Sequence, residues 1–482
     1  MRRIMATRRD LLKLGVVGGV AAALPLESAV SALTDESVSA SVTPFTSAMP
    51  VPVVLRPARR TKDADIYDVE MIEAATEVVP GLTTTMRTYN GTYPGATIRA
   101  RRGRSVIVRQ RNALGVDTSV HLHGGHVPSA HDGHPMDLLK PGASREYHYP
   151  NTQHAAALWY HDHAHGSEAE NVYRGLHASY ILTDEFEQGL PLPSGKFEVE
   201  LQIRDARIET DGTLRYIRAQ DRPHMLVNGK ERPYFQVAAR KYRFRVYNVS
   251  VDRFMSLRLA DGSEFTQIGS DGGFLPAPVT VNEMRLSSAE RADIVIDFSR
   301  YKPGTSVVLQ NTSALATENA DVLRFDIGRP VHDDSRVPRA LFHCPPTPPA
   351  TVQREFALQW DAVLARYAIN GKTYDPNRVD VQAKLGATEI WTIKNTDKQA
   401  PPPNFHLNHN FHTHLTQFRV LDRNGVPVGP TESGWKDTVM VAPGDTVRIA
   451  LTWTDYTGRF VVHCHQLPHS DYSQMAEIEI TS

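Results

Sequence analysis

The chain has 482 residues, a formal net charge of −1, and 41% hydrophobic and 22% charged residues. This length is too great for one ordinary core, so we expect two to four folded domains. The near-neutral charge, without a basic stretch interleaved with aromatic residues, argues against nucleic acid as a partner. Beyond the N-terminal segment no stretch is apolar enough to cross a bilayer, so we expect no membrane span in the mature chain.

The N-terminal segment 1–32 has the features of an export signal. A twin arginine, Arg8-Arg9, precedes a weakly hydrophobic run and then small residues that favour cleavage after Ala32. This pattern is typical of a twin-arginine signal, so we expect the twin-arginine export machinery as a partner and a periplasmic or extracellular location. A lipoprotein signal or a membrane anchor is the alternative. Residues 33–50, rich in Ser, Thr, Ala and Val, are expected to form a flexible leader.

Strand signals then recur three times in the same order. Each copy has an Asn-Gly turn, a strand rich in β-branched and aromatic residues, and a closing asparagine. The turns are Asn90-Gly91, Asn228-Gly229 and Asn370-Gly371, the strands are 106–108, 242–247 and 390–393, and the closing residues are Asn112, Asn248 and Asn395. The turns lie 138 and 142 residues apart and the closing asparagines 136 and 147 apart, a period that indicates three copies of one β-sandwich domain.

We place the three domains at 51–188, 196–330 and 351–482. Linkers are expected at 189–195 and 331–350. The second linker contains five prolines, which are excluded from central strands.

The strand 242–247 has the pattern of a half-buried surface. Tyr242 and Phe244 alternate with Arg243 and Arg245. We therefore expect the apolar side chains to face the core and the arginines to face solvent.

Ten of the 21 histidines fall in four short clusters. The clusters are His121 and His123; His161 and His163; His409, His412 and His414; and His463, His465 and His469. Residues two apart share one face of a strand, so each H-x-H pair directs two imidazoles the same way. Four such pairs provide more imidazoles than one zinc ion needs. The pattern therefore predicts a site for several metal ions.

The segment Val462-His463-Cys464-His465 predicts two metal centres joined by one strand. Cys464 faces one side of an extended strand, and His463 and His465 face the other. A thiolate suits copper, paired imidazoles suit further metal ions, and the short covalent path between them suits an electron relay. If Cys464 binds metal, the only other cysteine, Cys344, has no intramolecular partner, so we expect no disulfide.

Together the motifs H-x-H-G, H-x-H, H-x-x-H-x-H and H-C-H-x-x-x-H resemble those of the multicopper oxidases. The resemblance covers nearly all of the mature chain, including 90–103, 158–163 and 434–438, and is greatest to the three-domain branch with spore-coat laccase, bilirubin oxidase and phenoxazinone synthase. It implies an all-β fold of three cupredoxin-like Greek-key β-sandwich domains. The type 1 copper would lie in the third domain, and a trinuclear cluster between the first and third domains.

The resemblance also implies the ligands of four copper ions. The type 1 copper, which receives electrons, would be bound by His409, Cys464 and His469. The type 2 copper would be bound by His121 and His412, and the binuclear type 3 site by His123, His161, His163, His414, His463 and His465. The remaining histidines are expected to lie at the surface or to support the site, with His165 the strongest candidate for a supporting role.

A protein with these centres would take single electrons from an organic donor and reduce O2 to water. The resemblance implies phenols, aminophenols or bilirubin-like tetrapyrroles as donors. His469 would be the exposed edge that accepts electrons, and Cys464 would pass them to His463 and His465. One alternative is oxidation of Cu(I) or other metal ions, although the 11 methionines are scattered rather than clustered. Another is a copper-free structural relative, although every ligand residue is present.

The chain departs from the family at the axial position of the type 1 site. Five residues beyond the last type 1 histidine, relatives have Met, Leu or Phe, whereas this chain has Gln474, followed by Met475. In an unbroken final strand Gln474 shares a face with Ala476 and Ile478, which favours Gln474 as the axial residue; a loop longer by one residue would favour Met475. An amide oxygen stabilises Cu(II) more than a thioether does, so Gln474 predicts a lower type 1 potential.

A second departure concerns protons. Relatives often carry Glu directly after the last type 1 histidine, where this chain has Ser470. Reduction of O2 to water consumes protons, so a carboxylate near the cluster is needed. Asp132 matches an acidic position near the cluster in the relatives, and we assign proton delivery to it. The alternative is a turn-forming aspartate before Gly133.

Overall fold

The structure is a computed structural model that describes residues 38–313, 320–397 and 408–482. The export signal predicted at 1–32 lies outside these residues. None of the helices in the described part of the chain has the length and apolarity needed to cross a membrane. Strands dominate, and they form six sheets.

The first two sheets are built from residues 59–183. Their strands are β1 (Arg59–Arg60), β2 (Ala64–Glu77), β3 (Thr83–Tyr89), β4 (Gly95–Arg101), β5 (Ser105–Asn112), β6 (Val120–His123), β7 (Ser144–Tyr149), β8 (Ala156–Asp162) and β9 (His177–Thr183). One sheet has the order β1-β2-β5-β7, with β3 paired to β2, and the other has the order β4-β9-β8-β6. Helix α1 (Glu168–Tyr173) precedes β9, and helix α2 (Glu185–Gly189) follows it.

The next two sheets are built from residues 198–327. Their strands are β10 (Glu198–Ala206), β11 (His224–Val227), β12 (Lys230–Glu231), β13 (Tyr234–Val237), β14 (Lys241–Asn248), β15 (Met255–Leu259), β16 (Phe265–Ser270), β17 (Gly273–Val281), β18 (Glu283–Leu286), β19 (Arg291–Asp297), β20 (Ser306–Asn311) and β21 (Asp321–Ile327). The sheet orders are β12-β11-β10-β14-β19-β16-β17 and β13-β21-β20-β15-β18.

The last two sheets are built from residues 352–481. Their strands are β22 (Val352–Asp361), β23 (Arg366–Ile369), β24 (Val381–Lys384), β25 (Thr388–Asn395), β26 (His409–Thr413), β27 (Phe418–Arg423), β28 (Val426–Pro427), β29 (Trp435–Lys436), β30 (Thr438–Val441), β31 (Thr446–Thr452), β32 (Gly458–Cys464) and β33 (Met475–Thr481). The sheet orders are β23-β22-β25-β31-β27-β28, with β29 paired to β27, and β24-β33-β32-β26-β30. Helix α3 (Leu467–Asp471) joins β32 to β33. Short 3-10 turns lie at Ser129–His131, Gly195–Phe197, Ala219–Asp221, Phe298–Arg300 and Pro430–Glu432.

The same parallel pairings recur in each pair of sheets. Strands β2 and β5, β10 and β14, and β22 and β25 are parallel in one sheet of each pair. Strands β4 and β9, β13 and β21, and β24 and β33 are parallel in the other. This recurrence confirms the predicted all-β fold of three cupredoxin-like sandwiches, each with its own apolar core. The domain boundaries placed from the sequence stay predictions.

The three Asn-Gly turns take the predicted conformation. The φ angles of Asn90, Asn228 and Asn370 are 55°, 48° and 53°, and the following glycines are also left-handed. Each asparagine Oδ1 accepts a backbone N–H from a neighbouring strand at 2.7–2.8 Å. The repeated sequence signal therefore corresponds to a repeated backbone contact.

The strand predicted at 242–247 is buried on both faces rather than on one. Arg243 and Arg245 are 3% and 2% exposed. Both guanidinium groups form ion pairs with Glu187, and Arg243 also pairs with Asp293. The half-buried expectation is wrong because these carboxylates replace water around the arginines.

The described part of the predicted leader, 33–50, is held against the second sandwich. The Ala40 N–H donates to the Ile208 carbonyl at 2.9 Å, and the Met49 N–H donates to the Tyr234 carbonyl at 2.7 Å. The Met49 side chain is buried in the core of that sandwich. The segment thus differs from a flexible leader because it extends an edge and contributes to a core.

Candidate metal centres

Three side chains of the third sandwich meet at one point. His409 begins β26, Cys464 ends β32 and His469 lies in α3. The Cys464 Sγ atom lies 3.6 Å from Nδ1 of both His409 and His469, and these two nitrogens are 3.1 Å apart. The His409 Nε2–H donates to Asp397 at 3.0 Å, which leaves the Nδ1 lone pair for a metal. This buried trio offers one sulfur and two imidazole nitrogens, a donor set that suits copper.

His469 does not present the exposed edge that the sequence led us to expect. Its side chain is only 2% exposed. The ring of Tyr367 stacks on it, with ring centroids 3.7 Å apart and an interplanar angle of 21°. The expectation is wrong because β23 brings an aromatic residue over the imidazole.

Gln474 and Met475 have different surroundings. The buried Gln474 amide donates to a backbone carbonyl of β23 at 3.3 Å, and its Oε1 has no well-aligned hydrogen bond among the described residues. Burial lowers the pKa of His409, and hydrogen bonds with Asp397 and with Gln474 oppose that shift. Met475 packs in a separate apolar cluster with Tyr374. Gln474 therefore lies beside the trio, while its axial role stays a prediction.

Eight imidazoles from the first and third sandwiches form a second site. Their nitrogens fall into three groups, each within 4.8 Å. The groups are His121, His412 and His414; His123, His161 and His465; and His163, His414 and His463. The structure thus brings together every histidine that the sequence assigned to the trinuclear cluster, with His414 shared by two groups.

Hydrogen bonds on the outer side of these rings determine which nitrogen faces the cluster. The Nδ1–H groups of His121 and His412 donate to the backbone carbonyls of Asp132 and Asp437 at 2.6 and 2.8 Å. A carbonyl only accepts, so each Nε2 keeps its lone pair, and both buried Nε2 atoms have no hydrogen-bond partner among the described residues. His123 is reversed: its Nε2–H donates to the Asp437 carboxylate at 2.9 Å, and its Nδ1 has no partner in the described part of the chain.

The electrostatics of both sites fit copper. Burial lowers the pKa of the cluster histidines, and neighbouring imidazoles lower most of them further, so the rings are neutral ligands. Burial raises the pKa of the Cys464 thiol to about 12, so its thiolate needs an adjacent cation. Buried lone pairs without partners are costly, and metal ions are the partners that this donor set selects.

The end of β32 connects the two sites. Cys464 belongs to the trio, while its neighbours enter the imidazole cluster. His463 Nε2 lies 3.4 Å from His414 Nε2, and His465 Nε2 lies 3.4 Å from His161 Nε2. Because side chains alternate along β32, Cys464 and its two neighbours enter different groups of ligand atoms, as the sequence predicts.

Asp132 lies directly against the cluster. Its Oδ2 is 2.6 Å from His414 Nδ1, and its Oδ1 is 3.6 Å from His121 Nδ1. Burial raises the pKa of this carboxyl group, and Oδ1 has no hydrogen-bond partner among the described residues. The adjoining Gly133 has a φ of +78°, and a Cβ there would lie 2.0 Å from the Val120 carbonyl oxygen. The Asp132-Gly133 turn therefore packs closely against β6, which carries His121 and His123. The catalytic role of Asp132 stays a prediction.

A buried ion pair from the middle sandwich supports the cluster and was missed from the sequence. Arg291 of β19 donates to both carboxylate oxygens of Asp437 at 2.6 Å. Asp437 in turn accepts from His123, as described above. Asp437 lies in the family-like segment 434–438, but no periodicity indicates that a distant arginine pairs with it.

Glu168 is a second missed residue. It begins α1, is fully buried, and has its Oε1 3.1 Å from His163 Nδ1. Burial raises the pKa of Glu168, and the Ser470 hydroxyl opposes the rise. Ser470 stands where relatives often carry Glu, so the unusual serine was a signal to look for an acid facing it.

Two of the other described histidines contact residues of the third sandwich. His165 packs on Tyr374 with ring centroids 4.9 Å apart, and His134 pairs with Glu477 at 2.8 Å. Within the described residues, no histidine outside the four clusters joins a metal-ligand group. Both cysteines are free, in agreement with the expected absence of a disulfide.

Comparison with known proteins gives a consistent result. Family models described as multicopper oxidase match residues 71–186, 209–323 and 343–482. The chain is 36% identical to a laccase of Bacillus subtilis (strain 168), over 91% of this chain and 98% of that protein. It is 33% identical to a bilirubin oxidase of Albifimbria verrucaria, over 91% and 81%. A crystal structure of a laccase from Pediococcus acidilactici Pa5930 matches with a TM-score of 0.83 and 32% identity, over 93% of this chain and 95% of that chain.

Proposed function

Because the chain belongs to the multicopper oxidase family, we propose that it takes single electrons from phenolic, aminophenolic or bilirubin-like donors and reduces O2 to water. The chain is a copper-dependent oxidase with four copper ions: one type 1, one type 2 and a binuclear type 3 pair. One observation carries the proposal. The Cys464 Sγ atom lies 3.6 Å from two imidazoles, and the residues on either side of Cys464 enter the eight-imidazole cluster.

We assign the copper ligands on the grouping of the nitrogen and sulfur atoms. The type 1 ligands are His409, Cys464 and His469. The type 2 ligands are His121 and His412, and the type 3 ligands are His123, His161 and His465 for one ion and His163, His414 and His463 for the other. Bound copper supplies the one-electron and O2 chemistry that side chains lack.

The protein's own groups position this chemistry. The Cys464 side chain and the adjoining backbone give a covalent path from the trio to His463 and His465. Asp397 and Asp437 each accept from a ligand histidine and thereby hold its tautomer. Burial of the imidazole cluster keeps bulk water away from its inner nitrogens.

The donor class is supported by two relatives, which are named laccase and bilirubin oxidase. The scattered methionines agree with organic donors rather than Cu(I).

Oxygen uptake tests the proposal. Copper-loaded protein is expected to consume about one O2 for every four one-electron donor equivalents and to release no hydrogen peroxide. Cys464→Ser should abolish both the blue colour and turnover, because it removes the link between the sites, whereas Cys344→Ser is the matched control and should retain both. The same oxygen-uptake measurement is repeated with phenols, aminophenols, bilirubin and Cu(I) as electron donors. Accumulation of peroxide, or oxidation of Cu(I) faster than of every organic donor, would contradict the proposal.

We propose Gln474 as the axial residue of the type 1 site. Gln474→Met should raise the type 1 potential, because a thioether stabilises Cu(II) less than an amide oxygen does. We expect a rise of at least about 60 mV, which corresponds to a tenfold shift in a one-electron equilibrium. Met475→Leu is the control and should leave the potential unchanged. A redox titration in which only Met475→Leu altered the potential would show that Met475 is axial.

We propose that Asp132 delivers protons, with Oδ1 as the atom that holds them. Asp132→Asn should lower turnover by roughly 100-fold, and most at high pH, where protons from solvent are scarce. Copper content and the visible spectrum should stay as in the wild type, which separates this role from the positioning of His414. Asp68→Asn, which changes an exposed carboxylate of the first sandwich, is the control. Equal turnover of Asp132→Asn and wild type at every pH would refute the assignment.

We propose export by the twin-arginine route to the periplasm or the exterior. The support is the Arg8-Arg9 pair before a weakly hydrophobic run. Replacing both residues with lysine should leave the enzyme in the cytoplasm, whereas the same change at Arg2 and Arg3 should not. Fractionation with an antibody measures this, and export of the Arg8-Arg9 double variant would exclude the route.

A further inference from the structure

We propose that Trp360 and Tyr367 form the donor site of this oxidase. A flat phenolic donor would stack on Trp360, and its electron would reach His469 across the ring of Tyr367. The inference rests on the proposed oxidase function and deepens it, because it names the surface and the side chains that receive the donor.

The first support is that the trio itself is sealed. Cys464 and His409 are fully buried and His469 is 2% exposed, so a donor in solution touches none of these side chains through the described surface. Tyr367 stacks on His469 at 3.7 Å between ring centroids. Tyr367 also contacts Trp360: the two ring centroids are 4.8 Å apart and the interplanar angle is 67°. Trp360 is 39% exposed, so the three rings make a continuous aromatic path from solvent to a type 1 ligand.

The second support is that the backbone of both aromatic residues is hydrogen-bonded to segments of the type 1 site. The Trp360 backbone N–H donates to the Asp397 carboxylate at 2.9 Å, and the same carboxylate accepts from His409 at 3.0 Å. The Tyr367 N–H donates to the Tyr472 carbonyl at 3.1 Å. The hairpin of β22 and β23 is therefore fixed to both the first and the last type 1 ligand segments, and the path is pre-organised.

The third support is the chemistry of the surrounding surface. Val363 and Leu364 in the turn of the hairpin are 93% and 51% exposed, and Tyr472 is 53% exposed, so this surface presents apolar and aromatic side chains that a donor can contact. We call these three side chains the patch. Arg366 lies over the Tyr472 ring at 5.6 Å and supplies positive charge. Oδ1 of the nearby Asp361 accepts two backbone N–H groups of the hairpin turn, which fixes the shape of this surface. The patch thus favours flat aromatic donors.

The electron balance is simple. The phenol loses one electron to the type 1 centre and its hydroxyl proton to water, and it leaves as a phenoxyl radical. Trp360 and Tyr367 are unchanged after the transfer. The proposed four-electron reduction of O2 to water would consume the electrons.

The experiment compares Trp360→Ala, Tyr367→Leu and Tyr367→Phe in the copper-loaded enzyme. Phe186→Ala is the matched control, since Phe186 is an aromatic residue of similar exposure on the first sandwich. Trp360→Ala should raise KM for guaiacol by about threefold to tenfold, the effect of one lost aromatic contact, with a smaller change in kcat. Tyr367→Leu should slow the anaerobic bleaching of the blue band by guaiacol several-fold, and Tyr367→Phe, which keeps the ring, should recover most of that rate. Hexacyanoferrate(II), which has no ring to stack, should respond less to Trp360→Ala than guaiacol does.

A second readout needs no copper. In copper-free protein, guaiacol should quench the tryptophan fluorescence of the wild type, and Trp360→Phe should remove that quenching. An unchanged blue band in each loaded variant shows that the type 1 site is intact. If Tyr367→Leu failed to fold, the results for Tyr367→Phe and Trp360→Ala would still test whether this surface is the donor site. The inference is overturned if the enzyme oxidises guaiacol while Trp360→Ala and Phe186→Ala have the same KM and bleaching rate as wild type. Absence of oxidation of every donor by wild type would instead overturn the proposed function.

Discussion

The structure depends on the alternation of side chains at the end of one strand. Because Cys464 faces one side of β32 and its two neighbours face the other, a thiol and two imidazoles enter different sites while remaining one residue apart in the chain. All three are buried, and burial raises the pKa of the thiol and lowers the pKa of the imidazoles. Neutral nitrogen lone pairs and a thiol that needs a cation make both sites incomplete without metal.

Buried charged groups connect the three sandwiches around the imidazole cluster. Asp132 from the first sandwich contacts His414 of the third, and Asp437 from the third contacts His123 of the first. Arg291 from the middle sandwich pairs with Asp437, so that sandwich takes part without supplying a ligand. Breaking such a buried pair leaves an uncompensated charge, which costs about 3–5 kcal/mol. The middle sandwich is therefore a structural support of the cluster and more than a spacer.

Features determined by neighbouring residues, such as turns and histidine pairs, were predictable from the sequence. Contacts between side chains on different strands and helices were not. The Asn-Gly turns and H-x-H pairs are determined by backbone geometry, so Asn90, Asn228 and Asn370 appear where expected. Burial of Arg243 and Arg245 depends on carboxylates that other segments supply, which period-2 alternation does not reveal. Tyr367 stacks on His469 and Arg291 pairs with Asp437 across long sequence separations, and Glu168 is influenced by Ser470 of the third sandwich. Their roles follow only from which strands and helices the fold places together.

The most direct test of the account is anomalous diffraction at the copper edge from crystals of the loaded enzyme. The account predicts four copper peaks per chain. One lies between the Cys464 sulfur and the imidazoles of His409 and His469, and three lie within the cluster of eight imidazoles. A peak absent beside Cys464, or fewer than three within the imidazole cluster of fully loaded protein, would contradict it.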